Sequence, residues 1–205
     1  MQRAGQSTCK DLNPNSLAME KAFEKKIIGQ CAATLAGLKA ANLFNHRFPS
    51  KAICNASLEE ANSVLNGKGV YVELISNCGD FYLLLVYRKN QLLRILTNPS
   101  AADFLQAFGY QSNGDTDRML KRLKERFRAS AQFPHEIGIF LGYPIEDIKG
   151  FITNRGKNCL LCGLWKVYSN PAKAEEYFKK IDRCNHIYMD VYLRGRSLAD
   201  MTVAA

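Results

Sequence analysis

The sequence predicts an α+β domain: a small, mainly antiparallel sheet covered by helices. Three observations carry this. Residues 70–76 and 81–87 are rich in β-branched and aromatic side chains and flank the turn Asn77-Cys78-Gly79-Asp80, the pattern of a hairpin. The run FYLLLVY within the second segment is continuously apolar, which a strand tolerates when helices cover both of its faces. Helix signals, with capping residues or prolines at their starts and glycines at their ends, lie on both sides of this ribbon. At 205 residues, 47% hydrophobic and 23% charged, the chain can close a core without metals or disulfides.

Residues 1–16 are polar and read as a mobile leader before a single domain over 17–205. Ser16 caps a first helix with Leu17, Phe23, Ile27 and Ile28 as its apolar stripe. The small, apolar stretch CAATLAGLKAANLF over 31–44 is expected to continue it. Residues 48–57 read as a loop, after which Ser57, with Glu60 at the capping-box position, opens a short helix to Leu65. After the hairpin, 92–96 is expected as the third strand of a meander spanning about 70–96. Pro99 then opens a helix ended by Gly109, Asp115 or Thr116 caps the next to about Ala131, and Pro134 and Pro144 open two more, the first closed by Gly142. Residues 159–168, CLLCGLWKVY, read as a strand joining the sheet, and Pro171 opens the last helix.

No apolar stretch is long enough to span a bilayer, and the N-terminus lacks the apolar centre of a signal peptide, so a cytoplasmic protein is expected. Its seven cysteines, odd in number and irregular in spacing, are then expected to be mostly reduced. The net charge of +9 favours acidic partners.

No motif specifies a reaction or a cofactor. Cys159 and Cys162 form a CxxC pair, but no second pair completes a metal site, and the pair leads into a strand rather than opening a helix. His135 and Glu136 fall in the first turn of the Pro134 helix, where they could serve as base or ligand or simply lie at the surface. A candidate pocket gathers His135, Glu136, Cys31, Cys162, Tyr143 and Trp165, should the fold bring them together. The densest positive patch, Arg118, Lys121, Arg122, Lys124, Arg126 and Arg128, lies opposite Met119, Leu120, Leu123 and Phe127 at helical spacing. It is either a solvated face or a docking surface for phosphates or an acidic protein. The helix pair over 134–153 has the outline of a helix-turn-helix, yet Glu146 and Asp147 stand where the second helix would meet phosphates, so nucleic-acid recognition is not expected there.

The segment FPHEIGIFLGYPIEDIKGFI, followed by CGLWKVY, resembles the bacterial family catalogued as domain of unknown function 3793, found mainly in anaerobic Gram-positive bacteria. CAATLAGLKAANLF and LLLVYR resemble it too, so the likeness covers about residues 20–185. The resemblance implies no established activity or cofactor. It implies a setting beside flavodoxins and iron uptake, hence an accessory or binding role in iron or redox metabolism with an acidic redox protein such as flavodoxin as partner. It also implies a His-Cys-Ala-Pro pattern where this chain reads Gln30-Cys31-Ala32-Ala33, so the histidine that could ligate a metal or haem is replaced. The expected function is therefore a binding or accessory protein, with an enzyme or cofactor carrier using the His/Glu/Cys pocket, or a nucleic-acid binder using the basic helix over 115–131, as alternatives.

Overall fold

A computed structural model describes residues 14–111, 115–129 and 132–204. Its centre is a three-stranded antiparallel sheet, β1 (Ala41–Arg47), β2 (Val70–Cys78) and β3 (Phe81–Arg88), in the order β1-β3-β2. The β2–β3 hairpin closes with Cys78 opposite Phe81, and Gly79 takes the left-handed φ of +57° that this tight turn requires. β3 is the middle strand and the expected interior ribbon. Tyr82, Leu84 and Val86 enter the core on one face; Leu85 and Tyr87 enter the core on the other.

Two helical layers cover these faces. On the first lie α1 (Pro14–Leu35) and α2 (Lys51–Leu65), with Phe23, Ile27, Ile28, Cys31 and Leu35 packed against Val70, Val72 and Leu84. α8 (Pro171–Leu193) packs along α1, and Leu198 and Met201 beyond it complete that core. On the second face lie α3 (Lys89–Leu96), α4 (Pro99–Gln106), α5 (Thr116–Ala129), the single turn α6 (Ile137–Phe140) and α7 (Ile145–Thr153). Pro99 starts α4 and Pro144 precedes α7 as expected, and Asp115 caps α5, its Oδ1 accepting from Asp117 N and Arg118 N; the helix expected to open at Pro134 instead begins at Ile137, with His135 and Glu136 in the turn before it.

The structure corrects four expectations. The helix over 31–44 stops at Leu35, because Gly37 at φ +77° supports a Schellman ending in which Gly37 N donates to Thr34 O and Leu38 N to Ala33 O. Residues 41–47 then become the sheet's third strand. Residues 92–96 are helical: Leu92 and Leu96 are both fully buried while Arg94 between them is exposed, an arrangement that a helix allows, whereas a strand would put all three on one face. The second helix opens at the N-cap Ser50, whose Oγ accepts from Ile53 N, and Ser57 lies buried within it. Finally, 159–168 does not join the sheet but forms a separate ribbon, β4 (Leu161–Cys162) with β5 (Lys166–Val167). Gly163 permits the reversal; a Cβ there would come within 2.2 Å of the Phe178 ring. Of the expected leader, 1–13 lies outside the described residues, while Pro14 already begins α1. No helix among the described residues is long and apolar enough to cross a membrane.

Arg88, at the end of β3, is 2% exposed and donates from Nη1 to Thr34 O and Leu35 O and from Nη2 to Val203 O. Replacing it by Met removes all three of these hydrogen bonds, so Arg88→Met is expected to lower stability by about 3 kcal/mol in urea unfolding, with Arg88→Lys intermediate.

Candidate functional site

The first turn of α7 presents Asp147 to the ribbon. Its carboxylate is almost fully buried and accepts four hydrogen bonds: Oδ1 from Tyr168 N, Ser169 N and Ser169 Oγ, each at 2.8 Å, and Oδ2 from Trp165 Nε1 at 2.7 Å. Burial pushes this carboxyl up, but the four donors outweigh it and hold the group below the usual carboxylate range. Asp147 thus fixes the Trp165 indole. That ring stacks on Tyr143 with centroids 4.8 Å apart, meets Phe178 edge-on at 4.6 Å and tilts against Tyr177 at 5.9 Å.

Lys39 adds a cation to this stack. It lies in the turn between α1 and β1, which is pinned at both ends: Lys39 N donates to Ala33 O, and Ala40 O accepts from Arg88 N. Its side chain is 7% exposed, and its Nζ stands 5.3 Å from the centre of the Tyr143 ring. Among the described residues it has no hydrogen-bond acceptor and no carboxylate partner. Burial lowers its pKa to about 8, against a smaller opposing pull from the Cys31 thiol.

Lys39 lines a hollow of about 280 Å³ together with Gln91, Arg94, Gly142 and Tyr177. A second hollow of about 300 Å³ shares Arg94, Ile95 and Gly142 with the first and extends along Asn98, Ser100 and Tyr143. Together they form one groove, with Arg94 between its two halves. Arg94 is exposed and forms no ion pair among the described residues. None of the residues lining either hollow is acidic. A third hollow, beyond Tyr177, holds Asp147, Trp165 and Lys173.

Of the six residues expected to share a pocket, the fold brings together Tyr143 and Trp165. His135 lies on the Phe151 ring, 5.0 Å between centroids, and is exposed. Its neighbour Glu136, 1% exposed, is instead held by Arg126 Nε at 2.8 Å, with the Tyr110 hydroxyl at 3.5 Å. Cys31 is sealed in the α1 side of the core, where burial raises its thiol pKa and keeps it protonated, while Cys162 is exposed on the ribbon. Among the described residues no group of three or more His, Cys, Asp or Glu side chains is placed to hold a metal ion.

The basic face of α5 is partly consumed internally. Lys124 pairs with Glu73 of β2, Arg126 with Glu136, and Arg122 donates to Phe108 O, so Arg118, Lys121 and Arg128 are the members of the patch left pointing outward. Lys39 and Arg94, by contrast, were not singled out by the sequence reading. A signal existed for Lys39, the single charge within the small, apolar stretch over 31–44. Arg94 is legible only once 92–96 is seen as a helix with Leu92 and Leu96 turned inward.

A family model described as "Protein of unknown function (DUF3793)" matches residues 27–202. The chain belongs to this family. The DUF3793 match spans the whole groove, from Lys39 through Arg94 and Tyr143 to Trp165 and Tyr177. Comparison with curated proteins and with solved structures gives no match for this DUF3793 chain.

The Asp147 contacts generate a test. Because its folded pKa is depressed, its contribution to stability is present above the pKa of an unfolded aspartate and is lost as pH falls through the lower folded value. Asp147→Asn is therefore expected to flatten the acid limb of the stability profile. It also places an amide NH2 against the Trp165 indole N–H, so emission from the protein's one tryptophan is expected to shift to the red.

Proposed function

We propose that this protein is a binding protein whose groove between the 37–40 turn, α3 and the Gly142 turn holds a small molecule bearing an anionic group. The observation that carries this reading is the pairing of two cations without carboxylate partners, buried Lys39 and exposed Arg94, on a groove with no acidic residue in its lining. A buried cation without an acceptor is costly, and an incoming anion would supply what the fold withholds. Tyr143 and Tyr177 give the groove aromatic walls suited to an apolar or planar body attached to that anion.

An accessory role in cytoplasmic iron or redox metabolism, beside an acidic protein such as flavodoxin, is the physiological setting we propose for this binding. The family resemblance and the net charge of +9 support that setting. The outward members of the α5 patch, Arg118, Lys121 and Arg128, would serve as the surface for such a partner.

Calorimetry with pyrophosphate and with pyridoxine 5′-phosphate tests the groove. Lys39→Met and Arg94→Met are each expected to weaken binding by about tenfold or more, as loss of a charge-assisted contact does. Equal affinity in the wild type and the double variant would refute the reading.

A further inference from the structure

We propose that Lys39 is the covalent attachment point of a carbonyl compound: its Nζ forms an imine with an aldehyde or ketone whose anionic group is held by Arg94. The proposal rests on the anion-binding reading of the groove and goes beyond it in assigning a reaction to one atom.

Three other buried or half-buried cations set the contrast. Arg88 spends its guanidinium on three carbonyls, Lys68 donates from Nζ to Ala199 O and Thr202 O, and Arg126 holds Glu136. Arg88 and Lys68 tie together segments distant in sequence, and Arg126 ties α5 to the turn before α6. Lys39 is more buried than Lys68 or Arg126, yet among the described residues its Nζ has no hydrogen-bond acceptor; it stands over the Tyr143 ring beside the groove. A methionine would fill the same space without the cost of a desolvated charge. Besides its charge over the Tyr143 ring, what lysine adds at this position is a primary amine on a residue that lines a cavity.

That amine is prepared to react. Its backbone is fixed on both sides by the Lys39 N to Ala33 O bond and the Arg88 N to Ala40 O bond. Its aromatic floor is fixed in turn, because Tyr143 stacks on Trp165 and Trp165 is held by Asp147. Burial leaves a substantial share of the amine unprotonated near pH 8, and desolvated lysines of this kind are the ones that add to carbonyls. Other ionisable groups near it are the Cys31 thiol, kept protonated by burial, Tyr143 and Tyr177, whose phenols burial also pushes up, and the Arg94 cation.

The step balances without an oxidant or reductant. The Nζ lone pair bonds to the carbonyl carbon, the C=O π pair moves to oxygen, and proton transfer from nitrogen gives a carbinolamine. Loss of the hydroxyl with the second N–H proton releases one water to the groove and leaves the C=N bond. Protonated, the imine keeps its positive charge over the Tyr143 ring, where a cation is already favoured.

The test incubates the whole protein with pyridoxal 5′-phosphate, which unites an aldehyde, a phosphate and a planar ring, then reduces with borohydride and maps the labelled peptides by mass spectrometry. Lys39 is expected to be labelled at least tenfold more than the mean of the other lysines. Arg94→Met, which leaves the amine intact, is expected to lower that labelling about tenfold, and Lys39→Arg, which keeps the charge, to abolish it. Labelling spread evenly over the surface lysines, or unaffected at Lys39 by Arg94→Met, overturns the proposal. Pyridoxine 5′-phosphate, which lacks the aldehyde, separates the two claims. If it binds with dependence on Arg94 while Lys39 stays unlabelled, the imine is refuted and the groove stands. If it does not bind and Lys39 is not labelled, both fall.

Discussion

The guanidinium of Arg88 sits where four parts of the molecule meet. It closes the C-terminal end of α1 by donating to the carbonyls of Thr34 and Leu35, at the pole of the helix dipole that favours a cation. Its main chain binds Ala40 O, fixing the turn that carries Lys39, and its second Nη reaches Val203 O. Gly37 makes room: a Cβ there would stand 3.7 Å from Cζ of Arg88, in a backbone conformation that other residues adopt only with strain. Among the described residues no carboxylate pairs with this buried charge. It is stabilised by main-chain dipoles alone, so the geometry of those three segments must hold for the charge to be tolerated.

The same logic separates the cations that organise the fold from those available to a ligand. On α5, a run of basic residues that looks like a docking face is partly a clamp: Lys124 draws in Glu73 from the sheet and Arg126 secures the buried Glu136. Lys39 and Arg94 form no ion pair among the described residues. Positive charge therefore says little about binding until its partners are counted, and partners are a property of the fold.

This explains which parts were legible in the sequence. The β2–β3 hairpin was, because β-branched and aromatic residues flank a tight glycine turn and the information is local. The helix starts at Pro99, Asp115, Pro144 and Pro171 were, for the same reason. Strand β1 was not. ANLFNHR carries two asparagines and gains its strand identity from pairing with β3, which follows it in the chain only after α2 and β2, from Ala41 opposite Tyr87 to Arg47 opposite Phe81. Residues 92–96 offered apolar side chains at spacings that suit either state, and the exposure of Arg94 between buried Leu92 and Leu96 marks the helix. Within the site, Tyr143 and Trp165 were named from composition, whereas Asp147 was read only as a charge repelling phosphate. Its role as a fourfold acceptor depends on the ribbon folding back over α7.

The contact between Arg88 and Val203 also imposes an order on biosynthesis. Val203 leaves the ribosome after every strand and helix described above. Until residues 198–203 have emerged, one Nη of the guanidinium lacks its acceptor, Lys68 lacks acceptors of its own, and the α1 side of the core is incomplete without Leu198 and Met201. The β3 face bearing Leu85 and Tyr87 can be covered co-translationally by α3 to α7, but the opposite face is completed only afterwards. The two sides of one sheet therefore mature at different times, and the nascent protein exposes its α1 face for longer.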